Sequence, residues 1–246
     1  MGGGFQTSFQ CPVSSVQLRD ELDLSLAVSP RRPIAASSFP PLSFSPFEIL
    51  PHTVAYPAGG IYIMATPAPS LPVLRFVGLL AGNEAELAAA RTELVHNYGE
   101  IDDESSVIPF SFTQYYDEEM GPNLLRQWVR FKTPSAADQL TQCKLETNAT
   151  EVLLAKQFPR GVARPVNIDP GYVHRYKVIL ATTKDHAHRI YLHHGIYAEV
   201  TLHWSQNLWT PWPWTYADYK TETAQVFFTK ARTAYLQQLQ VLTAGK

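Results

Sequence analysis

Ten of the nineteen prolines lie before Leu71, and that crowding decides how much chain is left to build a core. Proline fixes φ and removes a backbone donor, so a stretch such as Ser37-Ser-Phe-Pro-Pro-Leu-Ser-Phe-Ser-Pro46 cannot close hydrogen-bond ladders. No helical or strand period survives there for more than a few residues. Residues 1–69 therefore read as a disordered leader and residues 70–246 as the folding unit. A start at Met64 would leave the same unit behind a short proline-rich lead-in.

Within that unit, Val73-Leu-Arg-Phe-Val-Gly-Leu-Leu80 is an apolar run suited to a buried strand. Asn83 and Glu86 form a capping-box pair, Leu87, Ala90, Leu94 and Tyr98 recur at helical spacing, and Gly99 is the stop. Strands are predicted around Ile108 to Phe112 and over Leu125 to Phe131. In the second of these, Leu125, Gln127, Val129 and Phe131 share one face, and Arg126, Trp128 and Arg130 share the other. Ser135 reads as the cap of a short helix to about Gln142. Asn148, with Glu151 three residues on, reads as the cap of another through Ala155, which leaves Lys144 to Asn148 as a polar linker. Asn167-Ile-Asp-Pro-Gly-Tyr172 has the chemistry of a turn. A strand over Tyr176 to Ala181 follows. Later come an aromatic loop, Trp209 to Tyr216, and a long helix from Thr221 with Phe228, Ala231, Tyr235, Leu239 and Leu242 on one stripe.

The most specific local pattern is a hairpin. Two alternating runs flank His193-His194-Gly195. A three-residue loop closed by glycine pairs Leu192 with Ile196, Tyr191 with Tyr197, Ile190 with Ala198 and Arg189 with Glu199. That register keeps Ile190, Leu192, Ile196, Ala198, Val200 and Leu202 on an apolar face. Arg189, Tyr191, Tyr197, Glu199 and Thr201 fall on the other. Helices alternate with strands early and antiparallel strands dominate late. The expected fold is α+β, a single domain with helices packed on a mainly antiparallel sheet.

A formal net charge of −2, with no basic run, argues against nucleic acid as a partner. No apolar stretch is long enough to span a bilayer, and the N-terminus lacks the pattern of a secretory signal. A cytoplasmic protein with a small-molecule ligand, and no membrane partner, is expected. Cys11 and Cys143 have no CxxC companion.

Candidate chemistry gathers around the hairpin. Arg189 opposite Glu199 is a charge-assisted pair that holds an anionic ligand or, at an exposed position, a salt bridge worth ~0.2–1 kcal/mol. Tyr191, Tyr197 and Thr201 share that face. His186 and His188, with Glu199 and with Asp169 on a nearby loop, are suitable ligands for a divalent metal ion, although the spacing matches no recognised motif. Asn167, Asp169 and Tyr172 exceed what a turn needs, and Lys144 and Glu146 do the same in the predicted linker. Lys184 is a second anion-binding candidate. There is no Gly-x-Ser-x-Gly elbow and no HExxH.

Several segments, in order, are similar to an uncharacterised prokaryotic family known as domain of unknown function 4416. They include Phe76-Val-Gly-Leu-Leu80, Tyr115-Tyr-Asp-Glu-Glu-Met-Gly121, Lys144-Leu-Glu-Thr-Asn148, Val166-Asn-Ile-Asp-Pro-Gly-Tyr172, His188-Arg-Ile-Tyr-Leu192 and Gly195 to Leu202. The resemblance runs from about Leu74 to Gln238 and implies no activity. Some members are labelled GTP-binding, but this chain has no GxxxxGK[ST] loop, and its only Gly-Lys is Gly245-Lys246.

The residues themselves point to an enzyme acting on a small anionic or nucleotide-like metabolite, with Glu199, Asp169 and His188 as catalytic candidates. The alternative is a non-catalytic ligand-binding or protein-interaction module using the Trp/Pro-rich loop.

Overall fold

In the computed structural model, residues 67–159 and 161–244 are described. The predicted leader, Met64 and Cys11 lie outside them, as does the side chain of Leu242. The order of elements is β1 Leu74–Ala81, α1 Glu84–Tyr98, β2 Ile101–Glu104, β3 Ile108–Phe110, α2 Asp117–Met120, β4 Leu124–Phe131 and α3 Leu140–Gln157. Then come β5 Val166–His174, β6 Lys177–Thr182, β7 Ile190–His193, β8 Ile196–Ser205, β9 Leu208–Pro211 and α4 Glu222–Ala244.

One antiparallel sheet runs β2-β4-β1-β5-β6-β8-β7, with β3 added to β4 and β9 to β8. Helices cover both faces, which is why β1 is apolar but for Arg75 and almost wholly buried. On one face α1 and α3 bury Leu87, Ala90, Leu94 and Leu154 against Val77, Leu79, Val129 and Phe131. On the other, Phe227, Phe228 and Ala231 of α4 pack on Phe76, Trp128, Val173 and Leu202. The fold is the expected α+β domain, and the two faces of β4 divide as the alternation predicts. The helical start at Asn83 also holds: its side chain accepts from the Glu86 amide, while the Glu86 carboxylate accepts from the Gly82 amide rather than from Asn83 itself.

Four sequence expectations are corrected. Lys144 to Asn148 is no linker and Asn148 caps nothing, because α3 runs unbroken through them. Its buried stripe includes Lys144, Thr147 and Glu151 beside Leu140 and Leu154, so polar residues hide the helical period.

Asn167 to Tyr172 is no turn but the middle of β5. Gly171 to His174 pair with β6, whereas Val166 to Pro170 pair only with β1, so the two strands part company. Ile168 turns its amide and carbonyl to the unpaired side, and by strand alternation Pro170 faces the same way. Its missing donor therefore breaks no ladder. At Gly171 a Cβ would lie 2.3 Å from the Ile179 carbonyl oxygen and 2.5 Å from Phe76, so only glycine lets β6 approach.

The hairpin loop has two residues, not three: His194 and Gly195 both have positive φ (53° and 74°), as a type I′ turn requires. His193 pairs with Ile196, and a β-bulge at Leu192 takes up the extra residue. Tyr191 opposite Tyr197 and Ile190 opposite Ala198 are thereby as predicted, but Leu192 has no partner. A second bulge leaves Thr201 unpaired between Val200 and Leu202, which sends Leu202 to the α4 face.

The predicted aromatic loop begins instead as β9, reached through Gln206 and Asn207, both with positive φ (50° and 61°). Strand β2 has no counterpart in the sequence reading, since its acidic residues carry almost no apolar alternation.

Candidate functional site

Where β5 and β6 diverge, α4 no longer covers the sheet, and a cavity of about 580 Å³ opens over the exposed strand ends. This size lies in the range typical of small-molecule sites. Five cationic side chains line it (Arg126, Lys144, Arg164, Lys184 and Arg189) against three carboxylates, Asp169, Glu199 and Asp218.

Its floor is set by the parting of the strands. From the far helical layer, Lys144 of α3 extends its ammonium to the Ile168 carbonyl (2.9 Å) and to Asp169 Oδ1 (3.1 Å). Glu151, two turns on, accepts from the Ile168 amide at 2.7 Å. The two α3 side chains thus stand in for the missing strand. Arg164 donates to Glu151 and Asn167, and Asn167 donates to Asp169 Oδ2 at 2.6 Å. Burial disfavours ionisation of Asp169, but Lys144, Arg126 and the Asn167 amide outweigh it and hold the carboxyl below its ordinary range. Burial pushes the Glu151 carboxyl up, against the pull of Lys144 and Arg164.

Arg126, on the inward face of β4, is paired with Asp218 through Nε (2.6 Å) and Nη2. Both side chains are almost wholly buried. Its Nη1 has no hydrogen-bond partner, and the guanidinium lies over the rings of Trp128 and Tyr219. Gly78 on β1 makes room for it: a Cβ there would be 3.0 Å from Nη1.

The hairpin supplies the opposite side. Arg189 Nε donates to Glu199 Oε2 at 2.9 Å, and their side chains are only 4% and 1% exposed. The pairing is the one the sequence predicts, but it is buried at the cavity rather than laid on a solvated face. Arg189 is further held by the Lys184 carbonyl (3.0 Å) and the Tyr216 hydroxyl (2.7 Å), so each guanidinium nitrogen is engaged. Thr201 donates to Glu199 Oε1 at 3.1 Å. His188 Nε2 lies 3.4 Å from Glu199 Oε2 and makes no hydrogen bond. Across the rim, Lys184 Nζ donates to the Tyr115 hydroxyl at 2.6 Å and so joins two loops at the mouth. Burial raises the Tyr116 and Tyr216 hydroxyls above their ordinary range, keeping both protonated.

Of the residues singled out from sequence, Glu199, Asp169, His186, His188, Arg189, Lys184, Asn167 and Lys144 line this one cavity. Five do not. Tyr191 and Tyr197 stack edge-on to each other outside it, and Thr201 lies behind Glu199. Tyr172 packs on the α3 face of the sheet, since three residues along a strand reverse the side it shares with Asp169. Glu146 accepts from the Tyr98 hydroxyl at 2.9 Å, on a side of α3 that Lys144 does not share.

The expected metal set of His186, His188 and Glu199 does not form. Among the described residues no group of three or more His, Cys, Asp or Glu is placed to hold an ion. The Glu199 carboxylate is occupied by Arg189 and Thr201, and His186 meets His188 only ring to ring. Of the other cavity residues, Trp214 lies in the Trp/Pro-rich loop of the alternative reading and Tyr116 in the Tyr115 to Gly121 segment, whereas Arg126, Arg164, Tyr216 and Asp218 are not among the candidate site residues read from sequence. Only Arg126 gives a signal, as one of two arginines on the Trp128 face of a buried strand.

The architecture and cavity define an α+β domain with a cation-rich pocket at the splayed middle of its sheet. The chain belongs to the family described as Domain of unknown function (DUF4416), whose model matches residues 71–235. No curated protein and no solved structure matches it significantly. Among the described residues no helix is long and apolar enough to cross a membrane.

Proposed function

We propose that this domain takes a small anionic metabolite into the cavity and acts on it by acid–base chemistry at His188 and Glu199. The observation that carries the reading is one cavity lined by five cationic side chains, in which Arg126 Nη1 has no hydrogen-bond partner and Lys184 at the mouth makes no salt bridge among the described residues. Arg126, Lys144, Arg164 and Arg189 each have a carboxylate partner, so Lys184 and the unpaired edge of Arg126 are what an incoming anion would meet. Lys144, Lys184 and Arg126 supply the attraction. Arg189, with every nitrogen engaged, serves as a positioning residue for Glu199. His188, whose ring lines the cavity and whose buried Nε2 lies beside the Glu199 carboxylate without a hydrogen bond, is the group we assign to proton exchange. Asp169, clamped by cations, is held ionised and suits electrostatic work better than proton abstraction.

The interaction-module reading has less support. Trp209 is a core residue, and Trp214 forms part of the cavity wall.

The test is a thermal-shift and calorimetric screen of inorganic phosphate, pyrophosphate, ribose 5-phosphate and short dicarboxylates, run at constant ionic strength. At least one should stabilise the wild-type protein, and Lys184→Ala, an exposed change, should weaken that effect about tenfold or more. No stabilisation by any of these anions, or equal stabilisation in Lys184→Ala, would remove the proposal.

A further inference from the structure

A file of flat rings runs up to the cavity beside Glu199, and its last three members, Trp214, His188 and His186, line the wall. His203 meets Trp212 at 4.4 Å between ring centres, and Trp212 stacks on Trp214 at 5.2 Å with 6° between planes. Trp214 stacks on His188 at 5.0 Å and 14°. His188 in turn stacks on His186 at 5.8 Å and 15°. The spacings are those of offset stacking. The rings come from three segments: β8, the loop after β9, and the loop between β6 and β7. His203 is tilted 33° from Trp212, but the near-parallel alignment of the other four does not follow from local chain geometry. Trp214 is fixed by its indole N–H, which donates to the Val200 carbonyl at 3.1 Å.

The file ends at His186. This residue is exposed, lines the cavity, and has a ring contact with His188 alone among the described residues. Opposite segments, Phe110 to Tyr116, line the same cavity with four more rings arranged edge to face. The space is several times larger than a lone phosphate or short dicarboxylate. Its cations lie on the floor, on the hairpin side and, with Lys184, at the mouth, and its rings lie on the walls.

We infer that the site's ligand carries a planar aromatic or heteroaromatic ring as well as its anionic group, and that the ring extends the stack at His186. This inference rests on the anion-binding reading and narrows it to aromatic phosphates or carboxylates, nucleotides included. Sugar phosphates and aliphatic acids would fill the cationic floor and leave the ring wall wet. An aromatic ring gains on both counts, because stacking adds to charge neutralisation without demanding new hydrogen bonds.

The experiment compares AMP, phenyl phosphate and ribose 5-phosphate by calorimetry on the full chain, with quenching of tryptophan fluorescence as a second readout. His186→Ala is the variant, chosen because the exposed ring contributes little to the core. AMP or phenyl phosphate should bind about tenfold tighter than ribose 5-phosphate, and His186→Ala should abolish that advantage while leaving ribose 5-phosphate unchanged. Preference for AMP alone assigns a nucleobase, and preference for both assigns any flat ring. Ribose 5-phosphate binding as tightly as the ring-bearing probes, or equal losses for all three in His186→Ala, would overturn the ring inference and leave the anion site standing. Failure of all three to bind would overturn both.

Discussion

Replacing Glu199 by Gln separates the two readings of the Arg189 pair, because the structure assigns it a cost that a surface salt bridge cannot have. An exposed pair is worth a few tenths of a kcal/mol to 1 kcal/mol. Here the side chains are only 4% and 1% exposed, and truncating one member of a buried pair strands the other charge at about 3–5 kcal/mol. Glutamine keeps one acceptor for Arg189 Nε, and Tyr216 and the Lys184 carbonyl remain in place. The lower end, about 3 kcal/mol, is therefore expected, which lowers Tm by about 6–12 °C in a domain of this size. The assay is urea unfolding followed by tryptophan fluorescence on wild type, Glu199→Gln, Arg189→Met and the double variant. A coupling energy of about 2 kcal/mol should emerge, since the double variant leaves no unpaired charge. Costs under about 0.5 kcal/mol, or strictly additive single effects, would show that the pair is solvated and the argument from burial wrong.

Two further outcomes follow from the floor of the cavity. Asp169 is held below its ordinary value of 3.8, so the folded state binds its proton less readily than the unfolded state. The resulting stability is complete above that value and is lost as pH falls through the lower, folded-state value. The stability gap between wild type and Asp169→Asn should be constant above about pH 5 and close below pH 3.8, and a gap independent of pH would contradict the assignment. Gly78→Ala would push a methyl to 3.0 Å from Arg126 Nη1 and 3.1 Å from the Tyr219 hydroxyl. Overpacking of this kind costs about 1–3 kcal/mol, read by the same unfolding assay, and an unchanged midpoint would mean that the guanidinium does not lie on β1.

The sequence is legible where side-chain periodicity follows burial and opaque where polar groups do structural work inside. Helix α1 has an apolar stripe, a cap and a glycine stop, and every signal agrees. In α3 the buried positions include Lys144 and Glu151, whose task is to complete a strand's hydrogen bonding, and the helix therefore looks like two pieces joined by a linker. Pro170-Gly171 carries the chemistry of a turn, yet each residue fits a strand for its own reason. One faces a side with no partner, and the other accepts a neighbour's carbonyl. The pairing of Arg189 with Glu199, inferred from a three-residue loop, survives the shorter turn because the bulge at Leu192 compensates it. Arg164, Tyr216 and Asp218 reach the cavity through loops and long-range pairing that no local spacing encodes.

The parting of β5 from β6 leaves the ammonium of Lys144 with two duties, one to the backbone of a strand and one to the chamber beside it. A guest that drew this ammonium wholly to itself would orphan the Ile168 carbonyl and loosen the seam between helix and sheet. Occupancy would then be felt on the far helical layer, through a single side chain threaded between the strands.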